Sequence, residues 1–190
     1  MEKSELEQLI QEIQQGDWGR FEQVIDHFQK PMFTYCYHML GHRQEAEDAV
    51  QEILIIAYER LGEYTYTLSF SAWLYKVAYH HCISLLRKKR RNRIFPFFFS
   101  KHEKGEDQIK ERIDQHYLSE PLHQLLDQLN PEERNLIILR VLEQKGYDEI
   151  AQLLESKPAT LRKRYERAIR KCRRYWHNTG GLADGSKQHG

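Results

Sequence analysis

The sequence predicts an all-α protein: two helical domains joined by a flexible linker, with a helix-turn-helix in the C-terminal one. Three observations carry this. Apolar residues recur every three or four positions up to residue 86 and again from residue 122, the spacing of helices with one buried face. Between these stretches, residues 96–116 lose the period and turn charged, with one proline and one glycine. Near the end a short apolar helix, a tight break and a long basic helix follow one another. The expected boundaries are 1–95 for the first domain, 96–116 for the linker, 117–177 for the second domain and 178–190 for a disordered tail.

The 190 residues suit one or two domains of roughly 100–150 residues each. Net charge is only +1, so its distribution is what informs. Six of the seven residues 87–93 are basic, and nine of the eighteen residues 157–174. Such patches on a balanced protein point to nucleic acid at two places. Cys36, Cys82 and Cys172 are odd in number and widely spaced, which argues for reduced thiols and against a disulfide framework or a paired-ligand zinc site. No apolar run approaches the ~20 residues that span a bilayer, and the charged start lacks a signal-peptide core. A cytoplasmic protein without direct membrane insertion is expected.

In chain order, Ser4 and Glu7 have capping-box spacing ahead of Leu6, Leu9, Ile10 and Ile13. Gly16 should end that helix and Asp17 cap the next, whose face holds Phe21, Val24, Ile25 and Phe28. Pro31 should break or restart it; Met32, Tyr35, Cys36 and Met39 continue to Gly41. Over residues 43–61 the apolar stripe is Ala46, Ala49, Val50, Ile53, Ala57 and Leu61. Asp48, Gln51, Glu52, Ile55 and Glu59 fall on the opposite side. A charged, solvated face is the ordinary reading. Ile55, a large apolar residue among charges, suggests a docking surface.

Residues 62–71 read as a loop with Tyr64, Tyr66 and Phe70, and Ser69 or Ser71 can cap the helix that opens with Trp73. These aromatics either pack on the core or stack on unpaired bases, an interaction worth ~1–3 kcal/mol per base. The basic run that follows, including Arg87, Lys88, Lys89 and Arg90, favours bases. In the second domain Asn130-Pro131-Glu132-Glu133 is a helix start, with a cap, a first-turn proline and acids at the positive helix end. Gly146 should close that helix. Residues 147–154 form the short helix and residues 158–176 the long basic one. Leu161, Tyr165, Ala168, Ile169 and Cys172 suit its core side; Thr160, Arg162, Lys163, Arg164 and Arg167 are available to a DNA groove. Lys163 and Arg164, in the N-terminal half, are the expected base readers.

Ten histidines raise the question of metal or acid–base chemistry, but none has ligand spacing, and neither a phosphate loop nor a nucleophile elbow appears. No enzymatic activity, metal or cofactor is expected.

Asp48-Ala49-Val50-Gln51-Glu52, Phe70-Ser71-Ala72-Trp73-Leu74-Tyr75-Lys76-Val77-Ala78 and Leu85-Leu86-Arg87-Lys88-Lys89 resemble the N-terminal domain of bacterial sigma factors. Leu129-Asn130-Pro131-Glu132-Glu133-Arg134, Tyr147-Asp148-Glu149-Ile150-Ala151 and Thr160-Leu161-Arg162-Lys163-Arg164 resemble their C-terminal domain. The short chain, with only a linker between the two, is similar to the extracytoplasmic-function group. The resemblance implies that Asp48, Gln51, Glu52, Ile55 and Glu59 bind core RNA polymerase. Tyr64, Phe70, Trp73, Arg87, Lys88, Lys89 and Arg90 would engage and open the minus-ten promoter element. Thr160, Arg162, Lys163, Arg164 and Arg167 would read the minus-thirty-five element. It further implies an anti-sigma factor as partner, while polymerase does the chemistry. The family usually has glycine and an apolar residue before the recognition helix; here Glu155 and Ser156 stand there. The alternatives are a helix-turn-helix regulator with no polymerase-docking role, and an interaction module whose basic segments only solvate it.

Overall fold

In a computed structural model, residues 1–94 and 120–179 are described, and all their regular structure is helical. The phenylalanine-rich stretch 95–99, the rest of the expected linker and the tail beyond residue 179 lie outside the described residues. The first unit holds α1 (Lys3–Gln14), α2 (Phe21–Leu40), α3 (Arg43–Glu59) and α4 (Phe70–Ile94). The second holds α5 (Glu120–Asp127), α6 (Pro131–Ile137), α7 (Tyr147–Leu153) and α8 (Pro158–Asn178). Short 3₁₀ turns at Trp18–Arg20 and Leu61–Glu63 join helices of the first unit, and α6 continues as a π-helical stretch, Ile138–Leu142.

Several local expectations are corrected. α1 starts earlier than the Ser4–Glu7 pair implied, with Glu2 at the cap and its N–H donating to Glu5. Asp17 makes no side-chain cap bond. Pro31 does not break the chain: α2 runs through it. The residues before it (Val24, Phe28) and after it (Met32, Tyr35, Met39) bury into one core, and this packing outweighs the one lost backbone bond. The α6 stretch is closed by Gln144 in the left-handed region (φ 52°) rather than by Gly146. Gly146 instead precedes α7, its N–H donating to Glu149 at 2.8 Å.

Other signals map directly. Asn130 Oδ1 accepts the Glu133 N–H at 2.9 Å, and Glu133 accepts the Asn130 N–H at 3.1 Å, a complete capping box behind Pro131. Ser69 Oγ accepts the Ala72 N–H at the start of α4.

The two units share one core. Leu136, Ile138, Leu139, Ile150, Ala151, Leu153 and Leu161 belong to the same buried cluster as the inner faces of α1–α4. Each of these leucines and isoleucines contributes about 1.5–3 kcal/mol relative to exposure. A smaller cluster of Leu126, Leu129, Ile137 and Ala168 holds α5, α6 and α8 together.

Candidate docking and nucleic-acid surfaces

Helix α3 turns Ala46, Ala49, Val50, Ile53, Leu54 and Ala57 inward. Asp48, Gln51, Glu52, Ile55 and Glu59 are therefore left outward, all exposed, with Ile55 at 56%. The apolar part of this face extends further than sequence spacing indicated. Tyr58, one turn from Ile55, is 44% exposed and packs edge-on against Trp18 (ring centroids 5.2 Å apart) and Phe21 (5.1 Å). Trp18 itself is 37% exposed. Trp18, in a 3₁₀ turn, has no periodic signal, whereas Tyr58 follows Ile55 at helical spacing and ties the indole to the α3 face.

The start of α4 is an aromatic nest. Tyr64, Phe70 and Trp73 have mutual centroid distances of 5.5–5.6 Å. Tyr64 and Phe70, both expected at the minus-ten element, are buried here, Phe70 completely, and form the floor beneath Trp73. Trp73 is half-buried and Tyr66 exposed, and these two are the aromatics at the surface. The loop is anchored from α1 by Glu7, expected from its spacing to Ser4 as a capping residue, and by Gln14. Glu7 Oε1 accepts the Phe70 N–H at 2.7 Å and Glu7 Oε2 lies 2.9 Å from the Tyr64 hydroxyl. Gln14 Nε2 donates to the carbonyls of Leu61 (2.8 Å) and Tyr64 (3.0 Å). Burial and the adjacent Glu7 push the Tyr64 phenol well up, so it stays a neutral donor. Further along α4, Arg87, Lys88 and Arg90 are exposed, while Lys89 pairs with Glu45 of α3 at 2.5 Å.

Helix α8 separates the five groove candidates. Leu161 and Ala168 are buried. At roughly 100° per residue, Lys163, Arg167, Arg170 and Arg174 share the face opposite them. All four are exposed, as is Thr160 in the first turn. Arg164 falls on a flank, half-buried and paired with Glu132 of α6 at 3.0 Å; Lys171, on the same flank, pairs with Glu133. Arg162 lies on the other flank, its guanidinium 5.5 Å from the Tyr147 ring centre. Arg164 is thus held by an acid rather than presented with Lys163.

Glu155 occupies the turn before α8 with φ 49°, the left-handed region where glycine is the easy residue. Its carboxylate pairs with Lys76 of α4, and this partner draws its pKa down. A cleft of about 540 Å³ lies beneath, between Lys76, Tyr79 and His80 of α4 and Leu153, Glu155 and Arg164. Among the described residues no cluster of three or more His, Cys, Asp or Glu side chains could hold a metal, and no helix is long and apolar enough to cross a membrane.

Comparison with known proteins gives this geometry its context. The chain matches Sigma-70 region 2 over residues 24–92 and Sigma-70, region 4 over residues 119–172. The first match contains α3 and nearly all of α4, the second α5–α7 and most of α8. It is 25% identical over 182 residues to the ECF RNA polymerase sigma factor SigW of Bacillus subtilis, covering 87% of this chain and 95% of the relative. It is 27% identical over 171 residues to the RNA polymerase sigma-H factor of Pseudomonas aeruginosa, covering 85% and 89%. Its fold resembles that of the sigma factor RpoE, solved with the anti-sigma factor NepR from Bartonella quintana (TM-score 0.63, 19% identity, 81% of this chain and 94% of that one). It also resembles CnrH, solved with the cytosolic domain of CnrY (TM-score 0.68, 17% identity, 90% and 96%). With both sigma regions present in order, each on the helices that carry its motif, the chain belongs to the sigma-70 family of RNA polymerase sigma factors, in its extracytoplasmic-function group.

Proposed function

We propose that this sigma factor docks on core RNA polymerase through the exposed face of α3, engages the minus-ten element with the start and basic end of α4, and reads the minus-thirty-five element with α8. The supporting observation is the α3 face, where Ile55 stands exposed among Asp48, Gln51, Glu52 and Glu59. A regulator acting on DNA alone has no use for such a surface. Trp73 and Tyr66 supply surface for unstacked bases, and Arg87, Lys88 and Arg90 supply charge for the displaced backbone. Residues 1–95 and 117–177 act as the two working domains. The protein works in the cytoplasm and contributes promoter choice and strand opening while polymerase makes RNA. An anti-sigma factor restrains it, as the complexes of its structural relatives suggest.

The test is transcription from a promoter panel with purified core polymerase, with permanganate detection of opened thymines. Specific transcripts and opened thymines should require both polymerase and this protein. Sequence-specific DNA binding by the chain alone, with no promoter-dependent transcription, would instead support the regulator.

A further inference from the structure

We infer that Arg140, Tyr147 and Arg162 form a clamp for DNA backbone phosphate, beside the groove that α8 enters. The inference rests on the promoter-reading role of the second domain and adds a contact to it. Tyr147 opens α7. The Arg140 guanidinium lies 5.1 Å from its ring centre and that of Arg162 5.5 Å, while Tyr165 of α8 holds the ring edge-on at 6.1 Å. Arg140 is further fixed by donating from Nη1 to the Lys145 carbonyl at 3.1 Å.

Two cations gathered on one ring repel each other, so compensation is expected nearby. Neighbouring cations have it: Arg134 meets Asp127, Arg164 meets Glu132 and Lys171 meets Glu133. Among the described residues neither Arg140 nor Arg162 meets a carboxylate. The nearest acids do not supply one: Glu166, one turn along α8 from Arg162, forms no ion pair with it among the described residues, Glu149 is occupied by the Gly146 N–H, and Glu143 by Tyr75.

Cation–π stacking orients a guanidinium by its plane and leaves its edge donors outward. That fork matches the paired oxygens of a phosphate. The location selects backbone rather than bases. Arg162 sits on the flank of α8 toward α7, and the first helix of a helix-turn-helix is the one that crosses the backbone. Arg140 and Arg162 thus contact phosphate, and Tyr147 is a positioning residue that sets both.

The experiment uses full-length chain in reconstituted holoenzyme, with promoter affinity measured across salt concentrations and by phosphate ethylation interference. Arg140→Gln should weaken all promoter variants alike by several-fold and flatten the salt slope by about one unit. Ethylation of one or two phosphates that hinders the wild type should no longer matter to the variant. Arg162→Gln should do the same. Tyr147→Phe should bind as wild type, because the ring is kept, whereas Tyr147→Leu should resemble the arginine variants with helix content intact. An unchanged salt slope and the same ethylation pattern in Arg140→Gln overturn the clamp, even if affinity falls through loss of the Lys145 bond. Altered preference at a single base pair also overturns it, making the residue a base reader. Lys163→Gln separates the two levels. If it still weakens binding when the clamp variants do not, the promoter-reading role stands without the clamp; if none of them changes binding, that role itself fails.

Discussion

Tyr35 of α2 donates a 2.8 Å hydrogen bond to Asn135 Oδ1 of α6, and both side chains are completely buried. One hundred residues separate the partners. The bond joins the first helical unit to the second inside a single core. Arg134 adds a second tie, donating from Nη1 to the Met39 carbonyl at 3.0 Å.

Removing one partner of a buried pair leaves the other unsatisfied, which costs about 1–3 kcal/mol, whereas removing both can be close to neutral. Tyr35→Phe should therefore lower unfolding stability by about 1–2 kcal/mol in urea titration. Asn135→Leu added to it should recover most of the loss, because the Asn135 Nδ2 group has no partner among the described residues. Additive losses in the double variant would show that Asn135 is held by something other than Tyr35.

Glu143 sits at the same junction, accepting from the Tyr75 hydroxyl of α4, with Lys145 nearby. Burial raises its pKa, and the Tyr75 bond and Lys145 charge only partly offset this. Folding thus favours the protonated form. Its stabilising contribution is full below the ordinary value of 4.5 and is lost as pH rises through the raised one. Glu143→Gln, a permanent neutral form, should raise Tm at pH 7 and lose that advantage in acid. Glu133 works in the opposite sense. Burial pushes its pKa up, but the bonds from Lys171 and the Asn130 N–H prevail and leave it below 4.5. Its contribution is present above that value and disappears as pH falls through the lowered one, so Glu133→Gln should destabilise at pH 7 and cease to matter in strong acid. Calorimetry of both variants from pH 3 to pH 8 checks the two signs.

The docking face should include more than the α3 stripe. Ile55→Lys, Gln51→Ala and Glu52→Lys should each weaken core-polymerase affinity, with Ile55 costing about 2 kcal/mol as a buried interface anchor. Trp18→Ala should weaken it less, because the indole only extends the patch through Tyr58. Affinities unchanged in all four folded variants would remove this face from the interface.

How far the sequence reached depended on what kind of signal each feature has. The α3 face was legible because helical period alone puts Asp48, Glu52, Ile55 and Glu59 opposite Ala46 and Ile53. Tyr64 and Phe70 were not, because an aromatic in a loop reads alike whether it floors a core or faces solvent. Contacts from α1, Glu7 and Gln14, some fifty or more residues away, fix the difference. The shared core was illegible for a related reason. Periodicity says which face of α6 or α7 is apolar, not that it meets α2 and α4. Helix α8 was half legible: five basic or polar candidates were evident, but the pairing of Arg164 with Glu132 depends on how α6 crosses α8.

The pairing of Lys76 with Glu155 brings α4 against the turn that precedes α8. Promoter elements centred at minus ten and minus thirty-five lie roughly 25 base pairs apart, about 85 Å at 3.4 Å each. With α4 on the minus-ten element and α8 on the minus-thirty-five element, as proposed, α4 and the turn before α8 cannot stay in contact, so the packed arrangement is expected to open on the promoter. A zero-length carbodiimide cross-link between Lys76 and Glu155 should form in the free protein and vanish in the promoter-bound holoenzyme. Persistence of the cross-link in transcribing complexes would contradict this.

The last prediction separates the basic residues of α8 by face. Lys163 and Arg167 point away from the buried Leu161 and Ala168 and are exposed. Arg164 lies on the flank and is held by Glu132 at 3.0 Å. A side chain already paired must give up that partner to read a base, so the outward pair is the better placed. Lys163→Ala and Arg167→Ala should each cost about 1–3 kcal/mol and relax preference at one base pair of the minus-thirty-five element. Arg170→Ala and Arg174→Ala, further along the same face, should weaken all sequences alike and flatten the salt slope by about one unit each. Arg164→Ala should leave base preference intact and act, if at all, by freeing Glu132, an acid that would then repel the backbone. Holoenzyme binding to single-base promoter variants at several salt concentrations distinguishes the three classes. A preference relaxed by Arg164→Ala but not by Lys163→Ala or Arg167→Ala would mean that the flank turns toward the groove when the two halves of the protein separate.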